Sequence, residues 1–137
     1  MQHRFVEIIP DAVEDDVLYI SLKYCTAIHK CVCGCGNEVV TPISPTDWKL
    51  IFDGKTVSLS PSIGNWNFNC QSHYWIKRNE IVYAREWDKV EIQFGRTNDK
   101  KRKEKYYNKE KENVTSVTKT PKKKKGWKKF LKSIFSF

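Results

Sequence analysis

The sequence predicts a mainly β fold: a small antiparallel β-domain stapled by a cysteine knuckle, then a basic linker and a short amphipathic helix. Three observations carry this. Cys31, Cys33 and Cys35 alternate in Cys31-Val32-Cys33-Gly34-Cys35-Gly36, and Cys70 follows at a distance. Runs rich in β-formers meet across turn sequences at Asp53-Gly54 and at Lys77–Glu80. Between residues 1 and 96 no stretch of the ~10–12 residues a helix needs carries an apolar stripe of helical period.

The elements follow in order. Phe5–Ile9 reads as a short strand before an acidic turn from Pro10 to Asp16. Val17-Leu18-Tyr19-Ile20-Ser21-Leu22 is continuously apolar enough to be a buried strand. Cys25, in the apolar stretch Tyr19–Ile28, is expected in the core. Lys30–Gly36 is the knuckle, and Glu38-Val39-Val40-Thr41-Pro42 a strand stopped by proline. Ser44-Pro45-Thr46-Asp47-Trp48 is a turn, since Pro45 fixes φ and Asp47 can bond the local backbone. Trp48–Phe52 and Thr56–Ser60 flank Asp53-Gly54 as a hairpin, and Pro61–Trp66 is a turn-rich loop. His73–Ile76 and Ile81–Ala84 form a second hairpin. The domains so predicted are 1–96, a β-domain; 97–125, a basic disordered or frayed linker; and 126–137, an amphipathic helix.

Three thiols so close in sequence pair poorly with one another, because a disulfide needs Cα atoms roughly 4.4–6.8 Å apart with converging Cβ vectors. Thiolates facing one metal ion escape that limit. Gly34 and Gly36 suit a knuckle in which backbone N–H groups turn toward sulfur. Zinc on Cys31, Cys33, Cys35 and Cys70 is the natural assignment. Such a staple helps a body of under ~100 residues, whose apolar burial alone leaves little margin. The competing reading is buried or redox-active thiols.

Charge is segregated. The chain carries +9, but residues 1–99 hold 10 Lys/Arg against 13 Asp/Glu, net −3, and residues 100–137 hold 15 against 3, net +12. Only the appendage asks for an anionic partner. With five cysteines, no apolar leader and no run of the ~18 apolar residues of a membrane span, a reducing cytoplasm is expected, with peripheral attachment to the inner face of the membrane through the tail.

The run His29-x-Cys31-x-Cys33-Gly34-Cys35-Gly36, then Thr41-Pro42-x-Ser44-Pro45-Thr46-Asp47-Trp48, Phe52-Asp53-Gly54, Ser58-Leu59-x-Pro61-Ser62-Ile63-Gly64-Asn65-Trp66 and Cys70-x-Ser72-His73-Tyr74-Trp75-Ile76 resemble, in that order, a bacterial family of unknown function. Its members are encoded beside ubiquitin-like conjugation genes. The resemblance covers residues 17–84 and stops before the basic tail. It implies a role in a ubiquitin-like modification pathway of antiphage type, with a ubiquitin-like protein and its E1-like and E2-like enzymes as partners, and a peptidase that trims or removes that protein.

A serine peptidase needs a hydroxyl, a base ~2.6–3.2 Å from it, an orienting group and an oxyanion hole. Of His3, His29 and His73, His73 is the candidate base. Ser72, its neighbour, points to the opposite face of an extended strand. Ser62, between Pro61 and Gly64, is the candidate nucleophile and Asp47 the candidate orienter. The alternatives stay open: Ser62 and Asp47 capping turns, or His73 as a metal ligand through Cys70-x-x-His73. With an open metal position, zinc would activate water and Glu38 or Glu80 would be the base. Trp48, Trp66, Trp75 and Tyr74 form either a groove for an extended peptide or a small aromatic core, with Trp66 the one expected at the surface.

In the tail, Trp127, Phe130, Leu131, Ile134 and Phe135 recur at i, i+3, i+4, i+7 and i+8, with Lys128, Lys129 and Lys132 opposite. That pattern fits an interfacial helix on an anionic membrane; a protein partner or nucleic acid are the alternatives. Three functions follow: a peptidase processing or removing a ubiquitin-like protein, a non-enzymatic zinc module binding that protein or its enzymes, and a zinc-ribbon nucleic-acid binder. The acidic body disfavours the last.

Overall fold

A computed structural model describes residues 1–117. Eight strands form two four-stranded sheets. The first contains β1 (Gln2–Phe5), β2 (Val17–Ser21), β3 (Thr26–Lys30) and β4 (Glu38–Pro42) in the order β1-β2-β3-β4. The second contains β5 (Lys49–Phe52), β6 (Val57–Gly64), β7 (His73–Lys77) and β8 (Glu80–Tyr83) in the order β5-β6-β7-β8. All pairings are antiparallel except β1 with β2.

The inner faces of the two sheets meet in one core. Leu18 and Ile20 of β2, Ala27 of β3 and Val39 of β4 pack with Val57, Leu59 and Ile63 of β6 and Tyr74 and Ile76 of β7. Burying each of the larger aliphatics contributes roughly 1.5–3 kcal/mol. The outer face of β2 is covered as well, because Val17 and Tyr19 pack with Val13, Val6 and Ile9. Coverage on both faces explains why β2 is apolar from Val17 to Ile20 rather than alternating. It also moves the first strand: Val6 and Ile9 are consumed in this second cluster, so β1 ends at Phe5 rather than running to Ile9.

Both hairpins form where turn chemistry directs. Asp53 accepts from the N–H groups of Lys55 (2.9 Å) and Thr56 (2.6 Å), and Gly54 takes φ +93°. Between β7 and β8, Arg78 and Asn79 both adopt positive φ, the backbone of a two-residue primed turn. Cys25 departs from expectation. It is exposed, not in the core, because the chain reverses between β2 and β3 and Cys25 takes φ 48° in that turn.

Helix α1 runs Lys89–Val117. It crosses the boundary expected at residue 96, so residues 97–117 are helical. Asp88 caps its start: Asp88 Oδ1 accepts from the Glu91 N–H (2.8 Å) while Glu91 Oε2 accepts from the Asp88 N–H (3.0 Å). This reciprocal pair is a capping box. Strong helix formers such as Lys and Glu then carry the helix on without an apolar stripe. The chain divides into two units, Met1–Arg102 and one beginning at Lys103; the described part of the second is helical to Val117. The expected amphipathic segment 126–137 lies outside the described residues. Among those described, no helix is long and apolar enough to cross a membrane.

Candidate active site and cysteine cluster

The loop expected at Pro61–Trp66 is instead largely strand, with an irregularity in it. β6 pairs with β7 at Leu59↔Ile76 and next at Ile63↔Tyr74, so four steps on β6 oppose two on β7. The surplus falls at Ser60-Pro61-Ser62. A bulge of this kind tolerates proline and re-aims side chains. Register resumes at Gly64↔His73, which leaves Ser62 diagonal to His73 on the outer face of the sheet.

There Ser62 Oγ lies 2.9 Å from His73 Nε2. The other ring nitrogen, His73 Nδ1, lies 2.7 Å from the main-chain oxygen of Arg85. A carbonyl only accepts, so Nδ1 carries the proton and Nε2 presents a lone pair to the Ser62 hydroxyl. A hydroxyl donating to an imidazole held in this tautomer is what general-base activation of serine requires.

His73 is buried by aromatic rings. Trp66 and Trp87 stack at 5.3 Å and 18°, and each meets His73 edge-on, at 4.9 and 5.1 Å. Both tryptophans need a missing side chain. A Cβ at Gly64 would stand 2.5 Å from the Trp66 ring, and one at Gly95 would stand 2.8 Å from the Trp87 ring. Arg85 is itself held by a two-pronged pair with Glu91, at 3.1 and 2.8 Å, the same Glu91 that caps α1. Its carboxyl is held below its ordinary pKa by the hydrogen bond from Arg85 and by the Asp88 N–H.

Asp47, the expected orienter, is engaged in its own turn, where its Oδ2 accepts from the Ser44 hydroxyl (2.7 Å). The position on His73 that an orienting carboxylate would take is filled by the Arg85 carbonyl. Glu38 and Glu80 are exposed at the starts of β4 and β8. Of the four aromatics singled out in the sequence, Tyr74 is fully buried in the core, Trp48 packs against that core, and Trp66 walls His73. Trp75 lies under the Lys77 ammonium at 4.8 Å. Arg85 and Trp87 were not legible as site residues. A main-chain acceptor leaves no side-chain signature, and the one local signal was the Asp88-x-x-Glu91 capping box that fixes this segment.

Ser72 belongs to a second centre. The sulfur atoms of Cys31, Cys33, Cys35 and Cys70 all lie within 4.8 Å of one another and could hold a metal ion. Three of the cysteines come from the β3–β4 turn and Cys70 from the β6–β7 loop. The turn is knuckle-shaped: Cys31 N–H donates to the Asn37 carbonyl (2.8 Å), and Cys35 N–H donates to Cys33 Sγ (3.3 Å). Gly34 and Gly36 take φ +87° and +81°. Around it, Ser72 Oγ lies 3.1 Å from Cys31 Sγ, and Asn65 Nδ2 donates to Ser72 Oγ (2.9 Å). His73 is not in the cluster, since both its nitrogens are engaged with Ser62 and Arg85. Behind Asn65, Tyr74 Oη lies 2.6 Å from Nε2 of the fully buried His29, whose pKa burial lowers to about 4.

A family model described as bacterial ubiquitination-like system serine protease (BubE) matches residues 5–84, the segment holding Ser62, His73 and all four clustered cysteines. Arg85 and Trp87 follow just beyond the match. No curated protein and no solved structure matches the chain. With more than half of its length matched, this chain belongs to the BubE family of the bacterial ubiquitination-like system.

Proposed function

We propose that the protein is a serine peptidase that processes or removes a ubiquitin-like protein, with Ser62 as nucleophile, His73 as base and the Arg85 carbonyl as orienter. The observation that carries this is the Ser62 Oγ–His73 Nε2 contact of 2.9 Å with the opposite nitrogen tied to a pure acceptor. As Ser62 Oγ bonds to the substrate carbonyl carbon, its proton passes to His73 Nε2. Collapse breaks the carbonyl–leaving-group bond, and His73 returns the proton to the departing amine or alcohol. Water then repeats the sequence, releasing a carboxylate and restoring Ser62. A carbonyl stabilises the imidazolium less than a carboxylate does, because it carries only partial charge. The stacked tryptophans exclude water from the ring and strengthen that interaction. Asp47 keeps a structural role in this reading.

The metal we assign to Cys31, Cys33, Cys35 and Cys70 is zinc. Zn–S bonds of about 2.3 Å in a tetrahedron put sulfurs about 3.8 Å apart. Three of the sulfur pairs stand at 3.4, 3.8 and 3.9 Å. Four thiolates fill the coordination sphere, so zinc here supplies folding energy rather than an activated water. The partners implied are the ubiquitin-like protein and its E1-like and E2-like enzymes, in an antiphage-type pathway. The basic, aromatic segment 121–137 is proposed to attach the chain to an anionic membrane, favoured over nucleic acid because the body is net negative.

Incubating the protein with a ubiquitin-like precursor and reading intact mass tests the activity. Cleavage that Ser62→Ala abolishes supports it; no cleavage by the zinc-loaded wild type favours a zinc module that only binds.

A further inference from the structure

The neighbours of β6 cover it unequally. β5 pairs with it only from Phe52↔Val57 to Lys49↔Ser60. Before Lys49 the chain turns away toward β4, with the Trp48 N–H donating to the Pro42 carbonyl (3.1 Å). β7 stays paired as far as Gly64↔His73. From Pro61 to Gly64, therefore, one edge of β6 carries no strand among the described residues. Ser62 lies within that stretch.

The hydrogen-bonding parity can be read from the next residue. Asn65 N–H donates to the Ser72 carbonyl (2.9 Å), and Ile63, opposite Tyr74, shares its parity. In an antiparallel ladder, residues bonded to one neighbour alternate with residues whose N–H and C=O face the other edge. Ile63 and Asn65 bond to β7, so Gly64 turns its N–H and C=O to the open edge. Outside the strand ladder, neither group has a main-chain partner among the described residues. The space above Gly64 is taken by Trp66, whereas along its edge no strand pairs among the described residues.

We propose that an extended peptide substrate adds as a short strand to this open edge of β6, antiparallel to it, pairing with Gly64 and bringing its scissile carbonyl to Ser62. This rests on the Ser62–His73 reading above. Unpaired strand edges recruit extended chains through main-chain bonds. The opening is only Pro61–Gly64, shorter than the five to six residues of a typical strand, so it suits a peptide tail and not a strand of a second copy. In the antiparallel direction, residues before the scissile bond lie beside Gly64. Residues after it meet Lys49, where β5 fills the lane, and must leave the sheet. Recognition therefore concentrates on the acyl side, and the leaving side is left unselected.

The test uses two probes on the zinc-loaded full chain: a tri-alanyl diphenyl phosphonate, which tethers a short peptide to the nucleophile, and an alkyl fluorophosphonate, which carries no peptide. Amide exchange of Gly64 is read by NMR in both adducts. Exchange slowed about tenfold or more in the peptidyl adduct alone supports docking, since pairing protects an amide. Labelling of Ser62 by both probes with equal Gly64 exchange overturns the docking and leaves the serine reading intact. Labelling of Ser62 by neither probe overturns both.

Discussion

Ser72 and His73 are consecutive residues that serve different centres: Ser72 Oγ lies 3.1 Å from Cys31 Sγ, and His73 Nε2 lies 2.9 Å from Ser62 Oγ. The alternation of a strand puts them on opposite faces, so one short segment ties the cysteine cluster to the serine–histidine pair. Cys70, two residues before Ser72, anchors the same segment. Losing the metal is thus expected to disturb His73 without touching it.

Ser62→Ala and His73→Ala should each lower cleavage by at least about 10³-fold with metal content unchanged. Ser62→Ala should leave the melting temperature nearly unchanged, whereas His73→Ala, which empties a buried site, should lower it. Asp47→Ala should keep most activity and cost on the order of 1.5–3 kcal/mol, the scale of a hydrogen bond to a charged group such as the one from Ser44. Arg85→Ala retains the main-chain oxygen but loses the grip of Glu91 that positions it, so it should lower activity by much less than His73→Ala does. Measured kcat/KM for the four variants separates these roles; loss of activity in Asp47→Ala with an intact fold would restore Asp47 as orienter.

Cys31→Ser and Cys70→Ser should lose the metal and unfold the β-domain, since a structural metal supplies folding free energy directly. Elemental analysis and thermal melts report this. Cys25→Ser should retain full metal content, in keeping with an exposed turn residue. A folded, reduced, metal-free wild type would reject the site.

Gly64→Ala would push a methyl into the Trp66 ring, whose nearest atoms stand 2.5–2.7 Å from the new Cβ. Overpacking of this sort costs roughly 1–3 kcal/mol. Trp66 should swing off His73, visible as altered near-UV circular dichroism together with slower cleavage. Unchanged spectra and rates would refute the role given to this contact.

Acid should loosen the first hairpin of the second sheet. The Thr56 hydroxyl (2.6 Å), then the N–H groups of Thr56 and Lys55, hold the Asp53 carboxyl down at about 2, against 3.8 normally. A depressed folded-state pKa stabilises above the unfolded value and loses that effect as pH falls through the folded one. The wild type should therefore exceed Asp53→Asn in stability above about pH 4, and the gap should close toward about pH 2. Denaturant melts of both proteins across that range provide the check, and a gap independent of pH would contradict it.

Deleting residues 121–137 should release the chain from anionic vesicles and leave cleavage of a soluble substrate unchanged. Each lysine near such a surface contributes on the order of 1 kcal/mol, and the attraction is screened by salt. Sedimentation with vesicles that truncation does not alter would rule out the attachment.

With β1 displaced and β3, the far end of β6 and α1 unmarked, the sequence by itself still determined the other strands, both hairpins, the four clustered cysteines and the candidacy of Ser62 and His73. Those features rest on local rules: period-two patterning, Asp-Gly turn chemistry and thiols too close in sequence to pair with one another. Tertiary structure decided what depends on contacts across the fold. Cys25 lies among apolar neighbours in sequence, yet the turn between β2 and β3 exposes it. Asp47 looked available as a partner for His73, but Ser44 engages its carboxylate three residues away. The partner of His73 is a main-chain oxygen, and every residue has one. Only the capping of α1 by Asp88 and Glu91, with Glu91 gripping Arg85, brings that particular oxygen to the imidazole.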